Sequence, residues 1–248
     1  MEVPEPRNIT HKKNWTEYLL EFFMLFLAVF LGFIAENVRE HNVDAEREKV
    51  YIKNLYEDLR SDTLIYSDYL RDGKEFSNDV DSEITLMKSP GRNGYLNKIY
   101  FYARRITIRE STIFPNQRTF SQLKNSGQLR LITNQEVAAK ISSYYLDIGQ
   151  LLSQNNFILT QISQYFEQAG NLFDAEVMYH IRQDPKIPDG TRLKLLTDDA
   201  AVINKFLSSA QYLYGSRVLQ NGRVIQHLQD AKMLLELIRR EYHVKDEK

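Results

Sequence analysis

The 248-residue chain contains no cysteine. That removes disulfides, thiol nucleophiles and cysteine-based metal sites together, and it leaves the redox compartment open. Proline and glycine are scarce, six and ten residues, and the prolines with several of the glycines cluster between the long helical stretches. Neither sign of charge is in excess, with 32 Lys and Arg against 33 Asp and Glu. A nucleic-acid binder would show a basic face, so no nucleic-acid partner is expected. Catalytic signatures are missing as well. None of His11, His41, His180, His227 and His243 sits in an HExxH motif, and no Glu-x-x-His pair recurs on two helices as a di-iron bundle requires. Glu176 and His180, four residues apart, read as a surface pair. GxSxG, Walker and GxGxxG patterns do not occur. The expectation is a protein that is not an enzyme, with no catalytic residue, no cofactor and no metal site.

One long apolar run is present. Phe22 to Ala35 carries no charge, and Leu19, Leu20 and Val38 extend it to about twenty mostly apolar positions, the length one helix needs to cross a ~30 Å hydrocarbon core. A cleaved signal peptide wants small residues at the last and third-last positions. Phe33 precedes Ala35 by two, and Phe30 precedes Gly32 by two, so an uncleaved anchor is favoured. Phe and Leu on all sides argue against a surface helix of a soluble protein, which keeps a polar face. At about 100° per residue, Glu21, Leu25, Ala28, Gly32, Ala35, Glu36 and Arg39 fall in one sector, and Phe22, Phe23, Phe26, Phe30 and Phe33 fall opposite. Small residues let a second backbone approach closely in lipid, so the small face is the expected contact with another transmembrane helix, of the same or a different protein. The Phe face suits the lipid bilayer. Glu21 and Glu36 lie within about a turn of the two interfaces and read as interfacial. A hydrogen bond to a partner helix and proton handling are the alternatives. Lys12 and Lys13 just before the span, with Trp15 and Tyr18 as interface anchors, place the N-terminus inside.

The remainder reads as helix. Ile52, Leu55, Leu59, Tyr66, Tyr69, Phe76, Val80, Ile84 and Met87 step by three and four, with Asp62 and Gly73 interrupting, as a long helix continuous with the span requires. A turn follows at 89–94, then a short helix from Tyr95 to about Arg105, a brief strand or loop at 106–108, and a short helix at 119–126 closed by Gly127. Thr133 and Glu136 form a capping box ahead of the clearest stripe: Val137, Ile141, Tyr144, Ile148, Leu151, Asn155, Ile158, Ile162, Tyr165, Ala169 and Leu172. Asn155 is its single polar member, a candidate for setting register. Breaks at Asp184-Pro185 and Pro188-Asp189-Gly190 precede a third helix starting near Thr197. Its stripe runs Ile203, Leu207, Ala210, Tyr214, Val224, Leu228, Ala231, Leu235, Ile238 and Tyr242, with Arg217 and Asn221 in the middle. The fold expected is all-α: a polar tail at 1–17, a single N-terminal transmembrane helix at 18–39, and an elongated antiparallel helical bundle at 40–248. Asp62, Asn155, Arg217 and Asn221, meeting at one level, would make a buried polar layer or a small ligand site.

Residues 14–40, 48–62 and 119–145 resemble a family of uncharacterised bacterial inner-membrane proteins with a single N-terminal span. The shared features are Tyr18 to Glu21 at the span entry, Asn37 to Glu40 at its exit, the Ser126 to Ile132 segment, and Tyr144-Tyr145. Val38 stands where many members have Trp. The resemblance implies the inner membrane as location and an architecture of one N-terminal span; the flanking charges, which put the N-terminus inside, are what place the C-terminal domain in the periplasm. The resemblance implies no activity. The functional expectation is an accessory or scaffold protein docking on membrane or envelope proteins, with an envelope sensor or ligand-binding bundle acting through a partner as the alternative. A proton-motive component using Glu21 or Glu36 is a third option.

Overall fold

A computed structural model describes residues 14–109, 112–183 and 193–244. The tail with Pro4 and Pro6, the flanking Lys12 and Lys13, the break at 184–190 and the last four residues lie outside the described residues. Among the described residues six α-helices run α1 Trp15–Lys88, α2 Leu96–Ile108, α3 Arg118–Asn125, α4 Gln135–Gly170, α5 Ala175–Gln183 and α6 Ala200–Tyr242. Among the described residues there is no strand. The chain divides into two units, Met1–Val50 and Tyr51–Lys248.

In the first unit the described chain is helical from Trp15 onward. Its most apolar 18-residue window has a mean hydropathy of 2.3 and is 0% buried, so this helix is long and apolar enough to cross a membrane. Leu25 and Phe33 are 68% and 75% exposed, which no core helix of the chain itself would be.

In the second unit, α1, α4 and α6 form the helical bundle. α1 meets the interior every three or four residues through Ile52, Leu55, Leu59, Asp62, Tyr66, Tyr69, Gly73, Phe76, Val80, Glu83 and Met87, all buried. The polar members therefore lie on the stripe and do not interrupt it. Ile84, expected in the core, is half-buried, and Glu83 takes its place because it keeps the four-three step from Phe76 and Val80 to Met87. The α4 stripe is buried throughout except for the half-buried Ile162. α6 is turned from the expected face: Phe206, Leu213, Gln220, His227 and Leu234 are buried, whereas Leu207, Tyr214, Leu228, Leu235 and Tyr242 are half-buried. Packing against both α1 and α4 widens its interior sector and shifts its centre.

Hydrogen bonds set the directions. The Tyr144 hydroxyl donates to Asp62 Oδ2 and the Tyr165 hydroxyl bonds Glu83, and each pair is 82 residues apart in sequence. A constant offset over three heptads means that α1 and α4 run parallel, in register. α6 runs antiparallel to both, as the contacts Tyr56–Arg239 and Tyr69–Gln220 to α1, and Asn134–Glu241 and Asn155–Gln220 to α4, demonstrate. The long return from α1 to α4 is made through α2 and α3.

Local chemistry sets the ends. Residues 106–108 are the last turn of α2 rather than a strand or loop, because buried Ile106 continues the Ile99–Ala103 face. The α4 N-cap is Asn134, whose Oδ1 accepts from Val137 N at 3.1 Å, so the cap falls one residue beyond the expected Thr133. Asp199 caps α6, accepting from Ala201 N at 2.7 Å and Val202 N at 3.2 Å. Gly127 after α3 has φ 67°, where a Cβ would crowd the backbone.

Candidate functional site

The apolar interior of the bundle is split in two. One cluster holds Ile52 to Tyr69, Val137 to Leu151 and Val224 to Ile238. The other holds Phe76 to Met87, Tyr165 to Phe173 and Ile203 to Leu213. Between them lies a polar belt. Tyr69 of α1 donates its hydroxyl to Gln220 Oε1 of α6 at 2.6 Å. Gln220 Nε2 donates to Asn155 Oδ1 of α4 at 2.8 Å. Asn155 then grips the segment before α3 from both sides, donating Nδ2 to the Ile113 carbonyl at 2.7 Å and accepting Ile113 N at 3.2 Å. One side-chain amide thus stands in for a strand partner, satisfying a buried donor and a buried acceptor that would otherwise be orphaned.

Arg217 completes the belt. It is 1% exposed, with its guanidinium 4.1 Å from the Tyr69 ring centre and 5.3 Å from that of Phe76. Aromatic faces attract a desolvated cation, and burial holds its pKa below the usual arginine value. Burial pushes Tyr69 up to about 12, so its hydroxyl stays a donor at any physiological pH. Asn221, half-buried, lies against Gly73 of α1: a Cβ at position 73 would be 2.6 Å from Asn221 Oδ1. Glycine is there because two helices touch.

Three of the four expected layer residues, Asn155, Arg217 and Asn221, therefore come together, and Asp62 does not join them. Tyr144 and Asn155 are eleven residues apart on α4, about 16 Å along a helix, so Asp62 at the Tyr144 level lies in the first apolar cluster. There it accepts the Tyr144 hydroxyl at 2.8 Å and Asn116 N at 2.6 Å. Burial raises its pKa to about 6, against the lowering pull of these two bonds. Asp58, one turn earlier, accepts Asn116 Nδ2 at 2.8 Å, Thr119 N at 3.0 Å and the Arg118 guanidinium at 3.0 Å. The two carboxylates pin the segment ahead of α3, and Asp58 also caps that helix through Thr119 N, where the helix dipole favours negative charge.

Glu83 sits in the second cluster, 0% exposed. Its carboxyl meets the Tyr165 hydroxyl, 2.9 Å from Oε1 and 2.8 Å from Oε2. A phenol has one proton to give, which it either shares between the two oxygens or gives to one while a protonated Glu83 returns a bond from the other. Burial raises its pKa to about 8, helped by the negative charge of Asp79. Asp79 is ion-paired with Arg105 at 2.9 Å and Arg109 at 3.2 Å.

Gln220, Glu83, Asp58 and Asn116 were not singled out in the sequence, and Tyr165 was read only as a member of the α4 stripe. Glu83 and Gln220 were within reach, since both hold a heptad position on their helix. Asn116 has no periodic signal, because its place depends on the path of a loop. Glu176 and His180 are an exposed pair 3.9 Å apart. Among the described residues, no group of three or more His, Asp or Glu could hold a metal ion.

In the first unit, Glu21, Leu25, Ala28, Gly32, Ala35, Glu36 and Arg39 are all exposed. Arg39 donates to Glu36 across one turn at 2.9 Å. A Cβ at Gly32 would meet nothing within 4 Å. These features define an all-helical bundle bearing an uncovered apolar helical stretch near its N-terminus. No family model, curated protein or solved structure matches the chain.

Proposed function

We propose that this is a non-enzymatic membrane-anchored accessory or scaffold protein, single-pass in a bacterial inner membrane, with its N-terminus cytoplasmic and its bundle periplasmic. It docks on other membrane or envelope proteins through its span and its bundle. The observation that carries this reading is the uncovered apolar window with one small-residue face: exposing it to water is unfavourable by about 25 cal/mol per Å2, and lipid removes that cost. The test is purification of the tagged protein from its native membrane in mild detergent, with mass spectrometry and sizing. A stoichiometric foreign protein is expected, and Gly32→Leu should weaken that association. Position 32 has free space around it within the chain, so a loss reports on the partner rather than on folding. Recovery of the protein alone overturns the scaffold reading.

The second reading is an envelope sensor or ligand-binding bundle acting through a partner. A groove of about 450 Å3 between α2, α4 and α5 supports it, lined by Phe166, Phe173, Met178, Arg104, Thr107 and Tyr179. A small-molecule screen that finds nothing able to raise the melting temperature of the bundle counts against this reading.

A further inference from the structure

The groove between α2, α4 and α5 has a wall from each of three helices. Residues three and four apart on a helix share a face. Arg104 and Thr107 of α2, Phe166, Ala169 and Gly170 of α4, and Ala175, Met178 and Tyr179 of α5 have this spacing, and all of them line the groove. Ala169, Gly170 and Ala175 leave it open, since larger side chains there would take its space. Packing behind the walls fixes them. Phe173, also in the lining, meets the rings of Tyr100 and Phe206 edge-on, with centres 5.0 and 5.3 Å away. The Tyr100 hydroxyl accepts Asp174 N at 2.8 Å and donates to the Lys194 carbonyl at 2.8 Å. Asp174 in turn caps α5, accepting Glu176 N at 2.9 Å and Val177 N at 3.2 Å. Of the described residues in the lining, Arg104 is the one with a charge. Its neighbours Arg105 and Arg109 turn instead to Asp79 of α1, at 2.9 and 3.2 Å. The Thr107 hydroxyl donates to the Arg104 carbonyl at 2.8 Å, so the ionic contact that the groove offers is the Arg104 guanidinium. A guanidinium has five N–H donors, enough for a ligand beside any contact that Arg104 makes inside the chain.

We propose that this groove binds an apolar carboxylate, a molecule with a hydrocarbon body and one ionised carboxyl group that Arg104 holds. The volume of about 450 Å3 lies within the ~300–1,000 Å3 of small-molecule sites, which pair an apolar lining with a few placed polar groups. The hydrocarbon body leaves water against Phe166, Phe173 and Met178. The carboxylate meets a planar fork of donors that matches its own geometry. This rests on the second reading above, a ligand-binding bundle, and gives that ligand a chemical class.

The test uses the full chain in mild detergent and three probes with the same tail, dodecanoate, dodecanol and dodecylammonium. The melting midpoint is read by circular dichroism. Dodecanoate at about one hundred times its dissociation constant should raise the midpoint by roughly 5–10 °C. Dodecanol lacks the charge-assisted bonds, should bind about tenfold more weakly, and should fall short of that shift by about 2–4 °C. Dodecylammonium should give no shift. Gly170→Leu fills the groove from a position where a Cβ meets nothing within 4 Å, and should abolish the dodecanoate shift. Gly149→Leu, equally open and outside the groove, should keep it. Arg104→Gln should reduce the dodecanoate shift to that of dodecanol. A dodecanoate shift that survives Gly170→Leu is an effect of the micelle and overturns the site. Equal shifts from dodecanoate and dodecanol, both lost in Gly170→Leu, overturn the carboxylate and leave the ligand-binding reading standing. No shift from any of the three probes overturns the proposal, and the ligand-binding reading is then decided by the wider screen.

Discussion

Replacing Glu83 with Gln should flatten the dependence of bundle stability on pH. Glu83 is wholly buried and its two oxygens share one phenol. Its pKa in the fold, about 8, is raised from an ordinary 4.5. A carboxyl whose proton is held more tightly in the fold stabilises it fully below the unfolded pKa and loses that stabilisation as pH rises through the folded one. The window is therefore about pH 4.5 to 8. At ~1.4 kcal/mol per tenfold change in proton affinity, the whole interval amounts to roughly 5 kcal/mol, and the part between pH 5 and 7 to about half of that. Gln keeps the shape, can donate to the Tyr165 oxygen and does not titrate, so the variant should match the parent near pH 5 and exceed it at pH 7 and above. The assay is thermal unfolding of the full chain in mild detergent, followed by circular dichroism at pH 5, 7 and 9. For a unit of this size, 1 kcal/mol moves the midpoint by about 2–4 °C, which gives a gap of roughly 5–10 °C at pH 7. Asp62 and Asp79 titrate alike in both proteins and cancel. Parallel pH profiles for parent and variant, or a variant several kcal/mol weaker at pH 5, would refute the neutral-acid account of Glu83.

Three further outcomes follow from the belt and its surroundings. Asn155→Ala removes the bonds to Gln220 and to both backbone groups of Ile113, and should cost about 3 kcal/mol, read as a fall in melting temperature; a loss under 1 kcal/mol would mean that water replaces the amide. Gly73→Ala sets a methyl against Asn221 and should cost about 1 kcal/mol, with Gly73→Ala/Asn221→Ala recovering most of it, a coupling that a double-mutant cycle measures. Asp62→Ala and Arg217→Ala should add in the double variant to within ~0.5 kcal/mol, because the two residues belong to different levels of the bundle; strong coupling would contradict this placement.

Much of this was legible in the order of residues. The apolar run declared itself by its uniformity: residues 148–166 go longer without a charge, but Gln, Asn and Ser interrupt them, whereas Phe22 to Ala35 is apolar throughout. The α4 stripe was readable because eleven positions keep one heptad phase, and the polar Asn155 within it was visible as an anomaly. Other features depended on where the chain comes to lie. Ile84 and Glu83 are neighbours, and hydrophobicity favours Ile84 for the core; only the continued phase of α1 against α4 puts Glu83 inside, where Tyr165 can meet it. Arg217 and Asn221 were visible as exceptions on α6, but Gln220 was needed to join them to Asn155, and its burial follows from the rotation of α6 between two partners.

The sequence by itself determined the long helices, their ends to within about three residues, and the apolar stretch, though not the short α5, because these depend on the spacing and chemistry of residues near one another in the chain. Tertiary structure alone decided that α1 and α4 run parallel, that the interior is two apolar clusters parted by a belt, and that Asp62 stands outside that belt. Each of these depends on the register between helices far apart in the chain. Register is set by the summed fit of many side chains, and no single stretch of sequence encodes it.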